Sequence, residues 1–253
     1  MREQRVSLRW VLVAGALLFP ALAGSAARGQ EREYTVVLGG NVAGTQTVRV
    51  ADDGTVDVRY AFNDRGRGPD VEASYRFDAS GLPVAVVIDG VEYMKGEVGE
   101  RFSIEDGRAV WTNRGEEGSS ALERPAFYVA FDGVPSETAW LAAAALRAPE
   151  GRLALLPAGE TAAEVVERRT LSGADGEALE ARYVELSGLS FSPTGVWIDS
   201  EGHLAAQVSS WFSVVRKGFE GEVADLLAFQ DARSGARLQA LAGELAHRPG
   251  GDL

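Results

Sequence analysis

Cysteine is absent from the 253 residues, which excludes disulfides, thiolate nucleophiles and thiolate metal ligands. Histidine is nearly absent. His203 and His247 stand alone, without an H-x-H or H-E-x-x-H spacing or an acidic cluster beside them, so nothing marks a metal centre. A serine triad lacks its base for the same reason, and no G-x-S-x-G elbow occurs. The only lysines are Lys95 and Lys217, and no G-x-x-x-x-G-K phosphate loop exists. No cofactor is therefore expected. Basic residues are outnumbered, 25 against 37 acidic, for a formal charge of −12. That balance argues against nucleic acid and anionic membrane surfaces as partners.

Long apolar runs are also scarce. The one near the N-terminus spans Trp10 to Leu18, behind a basic region of Arg2, Arg5 and Arg9. Phe19-Pro20 ends it, and Ala21-Leu22-Ala23 or Ser25-Ala26-Ala27 offers small residues for cleavage. This is the pattern of a secretory signal peptide over residues 1–27. Its removal takes away three arginines and Glu3, changing the charge from −12 to −14. The mature chain is expected to be exported, periplasmic or secreted. Without a cysteine it has no lipoprotein anchor, and no later run is apolar enough for a transmembrane helix.

What the chain has in quantity is alternation. Val56, Val58, Tyr60 and Phe62 interleave with polar residues, and Val71, Ala73, Tyr75 and Phe77 repeat the period beyond a polar loop. Period two is the mark of a half-buried strand. Further strands are expected at Tyr34–Leu38, Gln46–Val50, Leu82–Ile88, Arg101–Ile104, Ala109–Thr112, Ala126–Phe131, Leu153–Leu156, Glu164–Leu171, Ala178–Leu186, Gly195–Ile198 and Leu204–Val215. Turn glycines at 54, 81 and 107, and again at 176 and 202, recur at the rhythm of an antiparallel meander. Pro135-Ser136-Glu137 opens a helix that runs to residue 147. An amphipathic helix begins near Phe219, and Ser234-Gly235 then separates it from a second helix or a kinked extension.

The expected fold is mainly β. A long antiparallel meander forms a strongly curved sheet or open barrel, with the mid-chain helix covering or plugging it and helices at the C-terminus. The layout is a β domain over residues 28–232, containing helix 135–147, and a helical tail and linker over 233–253. An outer-membrane barrel is disfavoured, because the interleaved face is charged throughout.

Two places stand out as candidate sites. Asn63, Asp64, Arg65, Gly66, Arg67, Gly68 and Asp70 form a polar loop between two strands, and loops held on rigid sheets are frequent sites of function. Arg65 and Arg67 could clamp an anion, although pairing with Asp64 and Asp70 is the expectation. Asp70 with Glu72, one on each strand face, is the carboxylate pair to test for hydrolytic chemistry; a solvated rim is the favoured alternative. In the Ser209–Val215 strand, Trp211 and Phe212 point opposite ways, one ring into the core and the other toward a pocket or interface.

The chain resembles the long region that precedes the catalytic domain in certain exported bacterial amidohydrolases related to imidazolonepropionase. The matching stretches are Leu38-Gly39-Gly40-Asn41 with Ala43-Gly44, Asn63–Pro69 (NDRGRGP), Pro125–Tyr128, Leu153–Gly159 (LALLPAG) and Ser209–Val215 (SSWFSVV). They spread over most of residues 33–232. The family's catalytic metal ligands have no counterpart on two histidines, so no catalytic residue carries over. The resemblance implies a non-catalytic accessory domain that binds or positions an amidohydrolase catalytic chain or its substrate. The alternative is a periplasmic carrier of an apolar small molecule such as a lipid.

Overall fold

Alternating burial is how most of this chain is built. The computed structural model describes residues 31–246; the segment expected to be a signal peptide and His247 lie outside them. The chain opens with β1 (Glu31–Leu38), β2 (Asn41–Val50), β3 (Val56–Phe62), β4 (Asp70–Phe77), β5 (Pro83–Val91), β6 (Glu97–Glu105), β7 (Arg108–Thr112) and β8 (Glu117–Ala121), and along β2 to β7 one face is mainly apolar and the other largely solvated. Next come β9 (Ala126–Tyr128), α1 (Pro135–Arg147) and β10 (Arg152–Leu156), then β11 (Glu160–Ser172), β12 (Ala178–Ser187), β13 (Thr194–Asp199), β14 (Leu204–Val208), β15 (Phe212–Arg216) and α2 (Val223–Ala246).

All fifteen strands form one sheet in the order β8-β7-β6-β5-β4-β3-β2-β1-β15-β14-β13-β12-β11-β10-β9. Every pairing is antiparallel except β9 with β10, which α1 connects as a parallel crossover. The expected curved meander is present, and it is not closed: β8 and β9 are its two edges. It overlaps itself instead. Tyr128 on β9 stacks on Phe102 from the inner face of β6, with ring centroids 4.2 Å apart.

Helix α1 fills the trough of the curved sheet. Its alanines at 139 and 142–145, with Leu141, are buried, and small side chains let the helix sit close to strands β10–β14. On the opposite wall, Trp140 meets Tyr75 and Phe77 edge-on at 5.0 and 5.2 Å. The main core lies on this concave side. A second core forms on the outer face of β11–β15, where Leu171, Tyr183, Trp197, Val215, Phe219 and Leu226 gather beneath α2. Strands β13–β15 are thus covered on both faces, so they read as nearly continuous apolar runs.

Several boundaries differ from expectation. β8 carries the sequence EGSSA, which has no apolar period to betray it. The expected strand Ala126–Phe131 ends at Tyr128. The expected Leu204–Val215 strand is a hairpin whose turn is Ser209–Trp211, so Ser209 and Ser210 are not strand residues. α2 is one helix of 24 residues that continues through Ser234-Gly235, and the expected boundary at 232/233 falls inside it. Among the described residues no helix is long and apolar enough to cross a membrane.

Candidate functional site

The polar loop between β3 and β4 is ordered by its own side chains. Asn63 Oδ1 accepts the Gly66 N–H at 2.7 Å, and Asp64 and Arg67 exchange two backbone hydrogen bonds of 2.8 and 3.0 Å. Arg67 Nη2 lies 3.3 Å from Asp64 Oδ2, and Arg65 Nε lies 3.7 Å from Asp64 Oδ1. Both arginines therefore serve Asp64 rather than forming an outward anion clamp. The β5–β6 hairpin fastens the loop: the Tyr93 hydroxyl donates to Asp64, Lys95 Nζ donates to the Gly68 carbonyl at 2.6 Å, and Gly68 N–H donates to the Tyr93 carbonyl at 2.9 Å.

Asp70 belongs to β4 and stands outside this network. It and Glu72 lie two residues apart, which puts both on the same solvated face rather than one on each. Arg59 of the neighbouring strand bonds to both, at 3.3 and 2.5 Å. The arrangement is a surface ion-pair cluster, and the proposed carboxylate pair has no cleft between its members.

Trp211 and Phe212 do diverge. Phe212 begins β15 and packs inward on Phe62, with centroids 5.7 Å apart, while Trp211 sits on the hairpin turn, half exposed. Tyr93 joins the two candidate sites. It lies 6.1 Å from Phe62 and 6.3 Å from Trp211, edge-on to the latter, and the Arg67 guanidinium rests over its ring at 5.3 Å. The Gly39-Gly40 turn completes this end of the barrel, where Gly39 N–H donates to the Trp211 carbonyl at 2.9 Å and Asn63 N–H to the Ala43 carbonyl at 3.0 Å. Four segments far apart in sequence thereby meet at this end, where Val42, Met94 and Trp211 expose large apolar groups.

The interior holds a site that the sequence did not single out: two buried carboxyl groups around α1. Glu100 accepts from the Tyr128 hydroxyl (2.7 Å) and from the Phe131 and Asp132 N–H groups (2.8 and 2.9 Å). Glu137 accepts from the Tyr75 hydroxyl (2.8 Å) and the Ala130 N–H (3.0 Å). Burial pushes the Glu137 carboxyl up to about 8, helped by the charge of Glu100 and opposed by its two hydrogen bonds. These groups hold the β9–α1 connection in place. Period-two burial in β6 could have revealed Glu100, because it occupies an apolar position between Val98 and Phe102.

Two cavities are relevant to binding. One, of about 240 Å³, opens at the barrel end opposite the polar loop; Val48, Val50, Val56, Phe77, Trp140 and Ala143 line it, with Arg32, Arg147, Glu201 and His203 also among its lining residues. The other, of about 750 Å³, is a groove between α2 and the Gly188–Pro193 connection, flanked by exposed Leu238 and Phe191. Among the described residues no group of three or more His, Asp or Glu is placed to hold a metal ion.

Comparison with family models finds no match, and neither does comparison with curated proteins. Among solved structures, the chain is similar to a β-barrel-like protein of the domain of unknown function DUF1849 from Brucella abortus. The identity is 14% and the TM-score 0.47, over 74% of this chain and 93% of that one. It is also similar to a DUF1089 family protein from Pseudomonas aeruginosa, at 12% identity and a TM-score of 0.36, over 78% of this chain and 95% of that one.

Proposed function

We propose that the chain is a non-catalytic, exported accessory domain that docks an amidohydrolase catalytic chain through the Tyr93–Trp211 end of its barrel. One observation carries this reading. Of the five stretches that resemble the amidohydrolase-associated region, the Leu38–Gly44, Asn63–Pro69 and Ser209–Val215 stretches meet at this end. The other two, Pro125–Tyr128 and Leu153–Gly159, pair with each other as β9 and β10. A surface with a half-exposed tryptophan, flanked by Val42 and Met94 and rimmed by the arginines of the polar loop, has the composition of a docking surface.

The test is a mixture of the mature chain with the barrel of an imidazolonepropionase-related amidohydrolase, followed by size-exclusion chromatography with light scattering. A one-to-one complex is expected, and Trp211→Ala weakens it about 10-fold or more without changing the melting temperature. The reading fails if no complex forms, or if the purified chain alone binds zinc stoichiometrically and hydrolyses amides.

The second reading, an apolar-ligand carrier, is favoured by the 240 Å³ cavity. Helix α1 occupies the trough, so such a ligand is confined to the mouth. Native mass spectrometry after gentle extraction tests it: co-purifying lipid supports the carrier, and a bare mass spectrum removes it.

A further inference from the structure

The second half of α2 has no core beneath it. Leu226 in the first half is buried in the outer core, but from Asp231 to Glu244 nearly every residue is exposed, Leu238 at 67% and Leu241 at 44%. Helices draw most of their stability from a packed apolar face, so a half-helix with two bare leucines calls for a neighbour. Both leucines line the groove of about 750 Å³ between α2 and the Gly188–Pro193 connection, where Phe191 is fully exposed and Tyr183 and Phe229 are also among the lining residues.

The charges of this half-helix select what fits. Asp231, Arg233, Arg237 and Glu244 sum to zero on a chain of formal charge −12, so two acidic copies can approach here without repulsion. Ser234, Leu238 and Leu241 follow the four-then-three spacing of a helix-pairing seam. Arg237 and Glu244 lie on one flank of that seam, about 10.5 Å apart along the axis and too far from each other to pair. Gly235 and Ala242 lie on the other flank, and both are small. When two such helices run antiparallel about a two-fold axis, Leu238 of one meets Leu241 of the other. The same register sets Arg237 of each copy opposite Glu244 of the other. A parallel pair would set Arg237 beside Ala242 and leave both charges unmatched. Arg237 can turn to the second copy, because it stands 3.9 Å from Glu185 Oε2 and Arg233 already bonds both oxygens of that carboxylate.

We propose that this groove is a self-association surface, in which two copies of the chain pair antiparallel through residues 231–244. Each helix lies in the groove of the other copy, against Phe191. The site shares no residue with the Tyr93–Trp211 surface and does not rest on the docking reading.

Sedimentation velocity of the mature chain, from micromolar to sub-millimolar concentration, is the test. A monomer–dimer equilibrium is expected, and Leu238→Asp should leave only monomer. Arg237→Glu or Glu244→Arg alone should weaken the dimer about ten-fold or more, because the two-fold axis turns one reversal into two like-charged pairs. The double variant should return to within about three-fold of wild type, a rescue that two residues unable to pair within one helix can deliver only between copies. Circular dichroism melts confirm that each variant folds. A chain that stays monomeric at every concentration leaves the groove to a different protein and overturns the proposal, as does a dimer that survives Leu238→Asp. Single reversals without effect, or a double variant as weak as either single, overturn the antiparallel register.

Discussion

The Tyr75 hydroxyl donates to Glu137 Oε2 at 2.8 Å, a bond that joins the inner face of β4 to the first turn of α1 across a dry core. Burial holds the Glu137 carboxyl protonated up to about 8. In the unfolded chain the same carboxyl ionises near the ordinary glutamate value of 4.5. Between these values the folded state keeps a proton that the unfolded state has lost, so stability from this group falls as pH rises. It is full below about 4.5 and gone above about 8. The span corresponds to on the order of 4 kcal/mol. Thermal melts of wild type and Glu137→Gln from pH 5 to 8 should therefore diverge. The variant is expected to gain roughly 10 °C on wild type across that range; parallel curves would show that Glu137 stays ionised.

Helix α1 has no side-chain cap of its own, since Val134 occupies the N-cap position. Gln46 of β2 replaces it from across the trough: its Oε1 accepts the Ser136 N–H at 3.2 Å and its Nε2 donates to Ser136 Oγ at 2.7 Å. All of these groups are buried, so removing the amide leaves a helix N-terminal N–H without a partner. Gln46→Leu should lower stability by about 1–3 kcal/mol in urea unfolding, with little change in m. No loss would mean that another group, or water, reaches Ser136.

Most strands were legible because one face is buried and the other solvated. Val56–Phe62 and Val71–Phe77 show period two directly, and the turn glycines at 54, 81, 107, 176 and 202 all have positive φ. Helix α1 was legible from its proline start and its alanines. The β14–β15 hairpin was not, because both sides of those strands are buried and Ser209-Ser210 interrupts no alternation. Nor was the unity of α2, because its second half is exposed and tolerates Gly235 without a packing cost. The polar loop was visible as composition. That it meets Trp211 through Tyr93 depends on pairings between distant strands, and no local pattern encodes those.

Asp70 and Glu72 share the solvated face of β4 with Arg59, and all three side chains are more than half exposed. Exposed ion pairs contribute little to stability. The double variant Asp70→Asn, Glu72→Gln is expected to shift Tm by no more than about 3 °C and to leave any binding function intact. Loss of function with normal melting would return the pair to candidacy as a working site.

Gly68 is where the polar loop cannot accept a side chain. Its φ is +120°, and a Cβ would lie 2.1 Å from the Phe62 carbonyl oxygen and 3.1 Å from the Phe62 ring. The backbone carbonyl cannot move aside without disturbing the end of β3, and Phe62 is itself packed on Phe212 and Tyr93. Gly66 differs. Its φ is +88°, but nothing lies within 4 Å of a Cβ there, so a substitution meets strain without a clash. Arg65 is 89% exposed in its side chain and can lose its contact with Asp64 at little cost, since Arg67 also pairs with that carboxylate. The expected order of damage is thus Gly68→Val, then Gly66→Val at about 1–2 kcal/mol, then Arg65→Ala near zero. Gly68→Val should lower Tm by several degrees more than Gly66→Val. It should also weaken the proposed docking of an amidohydrolase chain, because the displaced loop pulls Tyr93 from Trp211. Should Gly68→Val melt like wild type, the loop has room to rearrange, and its fixed geometry is not what holds this end of the barrel together.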